Sequence, residues 1–241
     1  MRQLHPVSLH EKFLASGLYT HLRDERAAAT EEWTLHELPD GSQIVRVDIE
    51  DNFGQDVVIT VLIEAWRTSE AKVERFDVWL NSRDHAGSQQ AKATYMISDN
   101  RLQMIRTLDH AESQHEASEL PENVVICPPA AFIFLGALFT QTAEPASMLR
   151  VLHVGSNKSL LRPEIKSYHK TALGRSVRLV DGREIAVEGY RLMDESARFT
   201  DRAVFWLDKY GVVVGYEEPR GNGITYSLQL TRYARRPDLI A

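Results

Sequence analysis

Only one of the 241 residues is a cysteine, Cys127, which excludes internal disulfides and cysteine-rich zinc sites. Concentrated positive charge is missing too. The formal net charge is −6, and a sequence-independent grip on nucleic acid needs a clustered basic surface. Basic residues gather only in residues 231–237, where three arginines read as a solvated chain end. Nucleic acid is therefore not an expected partner. Long apolar runs are absent but for one, CPPAAFIFLGALFTQ at residues 127–141. Its ten uncharged residues from Ala130 to Phe139 fall short of the ~20 that a spanning helix requires. No membrane span is expected. Residues 1–17 carry His, Glu and Lys where the apolar stretch of a signal peptide would sit. The default location is the cytoplasm, although a processed form that had lost its signal would read the same way.

Catalytic punctuation is also lacking. No Gly-x-Ser-x-Gly elbow occurs, GSNKS at 155–159 lacks the Gly-Lys-Ser/Thr ending of a phosphate loop, and no Gly-x-Gly-x-x-Gly opens a helix. No cofactor is indicated.

The chain instead offers alternation with period two. Residues 17–27, 31–38, 42–50, 56–66, 72–82, 89–98 and 101–108 read as strands, with turns at Asp40-Gly41 and Asp99-Asn100. The segment 56–66 is apolar at almost every position, as expected of a central strand covered on both faces. Residues 109–123 are polar and acidic and read as an irregular connection. The apolar run then starts with Pro128 and Pro129, suited to a first helical turn. It reads as a buried helix over 128–141 of about three turns. Further strands follow at 148–155, 164–173, 176–192 around Asp181-Gly182, 202–219 with a turn near 209–211, and 223–233. The expected fold is mainly β in one domain. A single large curved antiparallel sheet of about a dozen strands, a half-barrel or open barrel, surrounds one central apolar helix.

That order of elements resembles the lipoprotein-carrier half-barrel, in which a curved sheet wraps a helix and leaves a greasy cavity. The final hairpin VFWLDKYGVVVGYEE is similar to the Trp-x-Asp-x-x-Gly hairpin of some uncharacterised bacterial β-proteins of related shape, with Trp206, Asp208 and Gly211 at those positions. The resemblance implies a cavity for acyl chains or another hydrophobic molecule. The same shape also serves a cytoplasmic pigment-biosynthesis enzyme, so it implies shape more than chemistry.

Two histidines in DHAESQHE, His110 and His115, with Glu112 and Glu116 nearby, invite a metal reading. Their spacing of five does not put them on one helical face, and a solvated acidic connection is favoured over a metal site. His153 and His169 lie on two different expected strands. Cys127, beside two prolines and an apolar run, reads as a small buried hydrophobe rather than an activated thiolate. Aromatic side chains remain. The candidate ligand-binding residues are Trp66, Phe76, Tyr95, Phe132, Phe134 and Trp206, with Arg106 and His169 as orienting polar groups and Arg46, Glu64 and Arg75 interleaved on the same strands. The expected function is binding of a hydrophobic or amphipathic small molecule or lipid. The alternative is an enzyme on the same scaffold using acid–base chemistry. A homodimer is left open.

Overall fold

Asp99 and Asn100 both take positive φ (49° and 57°), as do Asp181 and Gly182 (50° and 72°). This is the mirror-image turn whose twist matches flanking antiparallel strands. A third such pair, Asp24 and Glu25 (47° and 65°), splits the stretch expected as one strand over 17–27. Glutamate rarely adopts that conformation, so the turn leaves no local signal.

The computed structural model describes residues 1–52, 57–85, 87–109, 111–128, 131–140, 146–154, 161–194, 202–219 and 223–236. The first meander runs β1 (Lys12–Arg23), β2 (Arg26–Glu37), β3 (Gln43–Asp51), β4 (Val58–Arg67), β5 (Val73–Asp84), β6 (Gly87–Ser98), β7 (Arg101–Leu108) and β8 (Gln114–Glu119). After β9 (Val124–Cys127) come β10 (Ala146–Val154), β11 (Pro163–Val180), β12 (Arg183–Asp194), β13 (Arg202–Leu207), β14 (Val213–Pro219) and β15 (Thr225–Arg235). All fifteen form one curved, unclosed sheet in the order β8-β7-β6-β5-β4-β3-β2-β1-β15-β14-β13-β12-β11-β10-β9. β1 and β15 join the two meanders, with Tyr19 opposite Leu230.

The two edges of this sheet, β8 and β9, are consecutive in the chain. Only Leu120–Asn123 separates them. A connection this short reaches about 18 Å even when fully extended, so the sheet must curl until its edges nearly meet. Residues 114–119, expected as irregular, form the exposed edge strand β8.

Every neighbouring pair is antiparallel except β9 and β10. A parallel pair needs a long crossover, and here the crossover is the apolar run, which passes through the curl instead of over it. The expected three-turn helix is not there. Phe132–Phe134 form a 3-10 turn, followed by a single helical turn α1 (Ala137–Thr140). Gly136 lies between them, so close to the β13–β14 turn that a Cβ there would stand 1.6 Å from the Gly211 carbonyl oxygen. Packing against the walls, rather than helical propensity, sets the conformation of this plug. Ile133, Phe134 and Phe139 are buried in it, and Gln141, the expected helix end, lies outside the described residues. No described helix is long and apolar enough to cross a membrane.

Alternation places the core on the inner face. Val45, Val47 and Ile49 pair with Ala65, Ile63 and Val61, and these pair with Phe76, Val78 and Leu80. All nine are buried. The outer face of β2–β4 is covered as well, which explains the apolar character of β4. Residues 1–11 lie across it as a strap. Arg2 pairs with Asp48 (2.7 Å) and Glu50 (3.2 Å), and His5 meets Glu64. Arg46, 2% exposed, donates Nε to Glu64 (2.6 Å) and both terminal nitrogens to Glu11 (2.5 and 2.8 Å), with His36 at 3.4 Å. Arg46 and Glu64, interleaved among the apolar positions of their strands, thus face outward and hold the strap.

Burial works against the Glu11 charge, but Arg46 and the Ser8 amide outweigh it and hold the carboxyl below its ordinary 4.5. Burial, aided by Arg46 and opposed by Glu11, pushes His36 below its ordinary 6.5. The stabilisation from Glu11 is complete above its unfolded value and is lost as pH falls through the lower folded one. His36 gains a proton more readily unfolded, so acid also penalises the fold there. Both signs agree. The urea midpoint is expected to fall progressively as pH drops from about 6.5 to about 4, and Glu11→Gln is expected to flatten the lower part of that slope. A midpoint independent of pH over this range would contradict the strap's role.

Candidate functional site

The inner wall brings three of the expected site residues together. Phe76 and Tyr95, register partners on β5 and β6, stack at 4.2 Å with planes 12° apart. Tyr95 donates its hydroxyl to the Leu161 carbonyl, and burial, opposed by Arg106, pushes its pKa up. Arg106, 3% exposed, stands beside them opposite Ala93 and donates to Gln114 at 2.5 Å. Phe132 and Phe134 belong to the plug. The Phe132 ring meets the edges of His21 (5.4 Å) and Tyr216 (4.9 Å).

The remaining three lie elsewhere. Trp66 is on the outer face near His5, under the Arg75 guanidinium at 4.8 Å. His169 is exposed on β11 opposite Met148, while His153 pairs with Glu164, so the two histidines do not meet. Trp206 also points outward. His115 and Glu116 are exposed on β8, and His110 lies outside the described residues. Among the described residues, no three His, Cys, Asp or Glu side chains gather as metal ligands. Burial pushes the Cys127 thiol up to about 12, which keeps it protonated and inert.

A polar group that sequence reasoning missed lies deep inside. Glu31 on β2 is fully buried and accepts the amide of Phe132 (2.8 and 3.1 Å) and that of Ile133 (3.4 Å). His21 Nε2 stands 3.4 Å from the same carboxylate, and its Nδ1 meets the Tyr226 hydroxyl. An acid, a histidine and a tyrosine in a row suit proton transfer. Here both carboxylate oxygens are already engaged by the plug and the plug covers them, so the row acts as an anchor.

Open space lies outside the barrel. The β11–β12 hairpin folds back over the outer face of β13–β15 and β1, leaving a cleft of about 770 Å³. Its floor is Trp206, whose register partners are Gly189 and Gly215. A Cβ on either glycine would stand 3.5 Å from the indole, in ordinary contact with it, so the ring lies over both glycine positions of the sheet. Arg178, from the hairpin, stacks over it at 3.8 Å. Leu22, Ser227 and Gln229 continue the floor, and Asp24, Glu25, Asp181 and Glu217 give the rim a negative charge. The hairpin tip presents Val177 and Leu179, the latter 71% exposed. At the next turn, Asp208 accepts the amides of Tyr210 (2.9 Å) and Val212 (2.8 Å) and the Tyr233 hydroxyl (2.9 Å), while Gly211 takes φ 76°. The Trp-x-Asp-x-x-Gly motif thus has a local meaning: a platform, a cap and a turn.

No family model and no curated protein matches this chain. Among solved structures, it is similar to a beta-barrel-like protein of a domain of unknown function, DUF1849, from Brucella abortus. That likeness spans 96% of this chain and 100% of the other, with a TM-score of 0.54 and 8% identity. The chain shares the β-barrel-like fold. A DUF1089 family protein from Pseudomonas aeruginosa is also similar, with a TM-score of 0.45, 15% identity, and 89% of this chain and 95% of that one covered.

Removing the plug's anchor tests the interior. Glu31→Ala strands two amides, each costing about 1–3 kcal/mol when left unsatisfied. It is expected to lower unfolding stability by about 2–4 kcal/mol in urea titrations. Glu31→Gln keeps an acceptor oxygen and is expected to recover most of that loss. Equal losses in the two variants would show that the amides do not depend on this acceptor.

Proposed function

We propose that the chain binds an amphipathic small molecule in the cleft beneath the β11–β12 hairpin. The observation that carries this reading is Trp206 laid over two glycine positions on the floor of a cleft of about 770 Å³, with Arg178 as its movable cover. A cleft of that size lies within the ~300–1,000 Å³ range of small-molecule sites. Mixed lining suits a molecule with an apolar body and a polar end. The indole face takes the body. Swinging Arg178 aside costs only about 0.5–1 kcal/mol of exposed cation–π attraction.

Head-group preference follows from the rim. Asp24, Glu25, Asp181 and Glu217 outnumber Arg178 around the opening, so a cationic head is favoured over a neutral one, and a neutral one over an anion. Fluorescence titration with dodecylamine, dodecyl maltoside and dodecanoate below their micellar concentrations tests this. Tryptophan emission is expected to change most steeply with the amine, and Trp206→Ala is expected to weaken binding at least about tenfold. The three amphiphiles behaving alike in Trp206→Ala and wild-type protein would remove this cleft as the site.

A further inference from the structure

At the opposite end of β1 and β15, two arginines face one pocket without a carboxylate between them. The pocket holds about 230 Å³ and opens between the end of the plug and the barrel mouth. Arg67, the last residue of β4, donates Nε to Gln43 at 3.0 Å. Among the described residues its side chain has no other hydrogen bond and no ion pair. Arg235, the last residue of β15, lies 3.6 Å over the Tyr210 ring, and its buried Nε has no hydrogen-bond partner. The reading of residues 231–237 as a solvated end is corrected here, since β15 carries Arg235 back into the mouth.

Acids near the pocket are committed elsewhere. Glu37 at its rim faces Lys12 at 3.4 Å. Asp208 feels the Arg235 charge, but it accepts two turn amides and the Tyr233 hydroxyl, and Arg235 in turn bonds Tyr233. Burial, with Arg235 adding to it, pushes Arg67 down to about 10. Contrast Arg46, which is fully matched by Glu11 and Glu64 on the outer face. Charges withdrawn from water are normally paired or meet a ligand. A forked guanidinium fits a carboxylate through two parallel bonds. The rest of the lining is apolar or small: Leu14, Trp33, Leu35, Ile133 and Ala137.

We propose that the barrel mouth is a second binding site, specific for a small organic acid. Its carboxylate sits between Arg67 and Arg235, and its apolar body lies against Ala71 and Ala137. The volume, below the ~300 Å³ of ordinary ligand pockets, limits the occupant to a compact molecule. This site is separate from the hairpin cleft and prefers the opposite charge.

Calorimetry and thermal shift on the full chain, with benzoate, acetate, inorganic phosphate and benzamide as probes, test the assignment. Benzoate is expected to bind and raise the melting temperature. Acetate and phosphate, lacking the apolar body, are expected to bind at least about tenfold more weakly, and benzamide, lacking the charge, weaker still. Arg67→Met and Arg235→Met are each expected to reduce benzoate affinity at least about tenfold. Without ligand, Arg67→Met is expected to melt no lower than the wild type, because it removes an unpaired charge. Phosphate equal to benzoate would make this an inorganic anion site and overturn the organic-acid assignment. Benzamide equal to benzoate, or benzoate binding unchanged in the variants, would remove the arginines as its readers. An Arg67→Met chain that unfolds would show Arg67 to be structural and overturn the proposal.

Discussion

A single buried carboxylate ties the two halves of this barrel together. Glu31 projects from β2 into the interior and takes the first amides of the 3-10 turn, whose backbone would otherwise be buried without partners. A short turn offers little helix dipole, so the interaction is chiefly the direct charge-assisted bond. The cost of burying that charge is met by the two amides, with His21 Nε2 3.4 Å away. Once the plug is held there, Phe132 can pack on Tyr216 and Phe139 on Phe205 and Tyr190. The inner face of the second meander thereby gains the apolar filling that its own side chains do not supply.

The sheet is finished on each side by a different device. Inside, the crossover plugs the curl. Outside, the strap of residues 1–11 converts β3 and β4 into strands buried on both faces, and its buried arginine is matched by carboxylates from the strap and from β4. At the edges, β8 is six residues long and carries Glu116 and Glu119, which discourages pairing with another chain. Four residues then carry the chain to the opposite edge. Curvature therefore follows from connectivity as well as from twist.

The two proposed binding surfaces differ in electrostatics for a local reason. On the outer cleft, acids at the β1–β2 and β11–β12 turns surround one arginine that is spent on an indole. At the mouth, the ends of β4 and β15 deliver two arginines, while the nearby acids are spent on Lys12 and on a turn. Each surface keeps whatever charge its neighbours leave unpaired, and the proposed ligands differ for that reason.

The strand pattern was legible because inward and outward positions alternate with period two, a property of neighbours along the chain. Phe76, Val78 and Leu80 enter the core as that alternation requires, and Val73 joins them across the register shift opposite Trp66 and Arg67. The Asp99-Asn100 and Asp181-Gly182 turns were legible because left-handed backbone favours a few residue types. The Asp24-Glu25 turn was hidden by its glutamate, and β8 by a composition polar at every position but Ala117. The apolar run declared itself as interior by composition alone. Its conformation did not follow, because Gly136 must fit against Gly211 and the first amides must find an acceptor 101 residues away. Of the expected site residues, Phe76, Tyr95 and Arg106 do converge, yet Trp66 and Trp206 face outward, and nothing along the chain sets Arg67 and Arg235 at one pocket. Composition and periodicity determined that this chain is a β-sheet with one buried insert. Which charges meet and which are left facing open space was decided by tertiary structure, since pairing depends on distances between residues that the sequence keeps far apart.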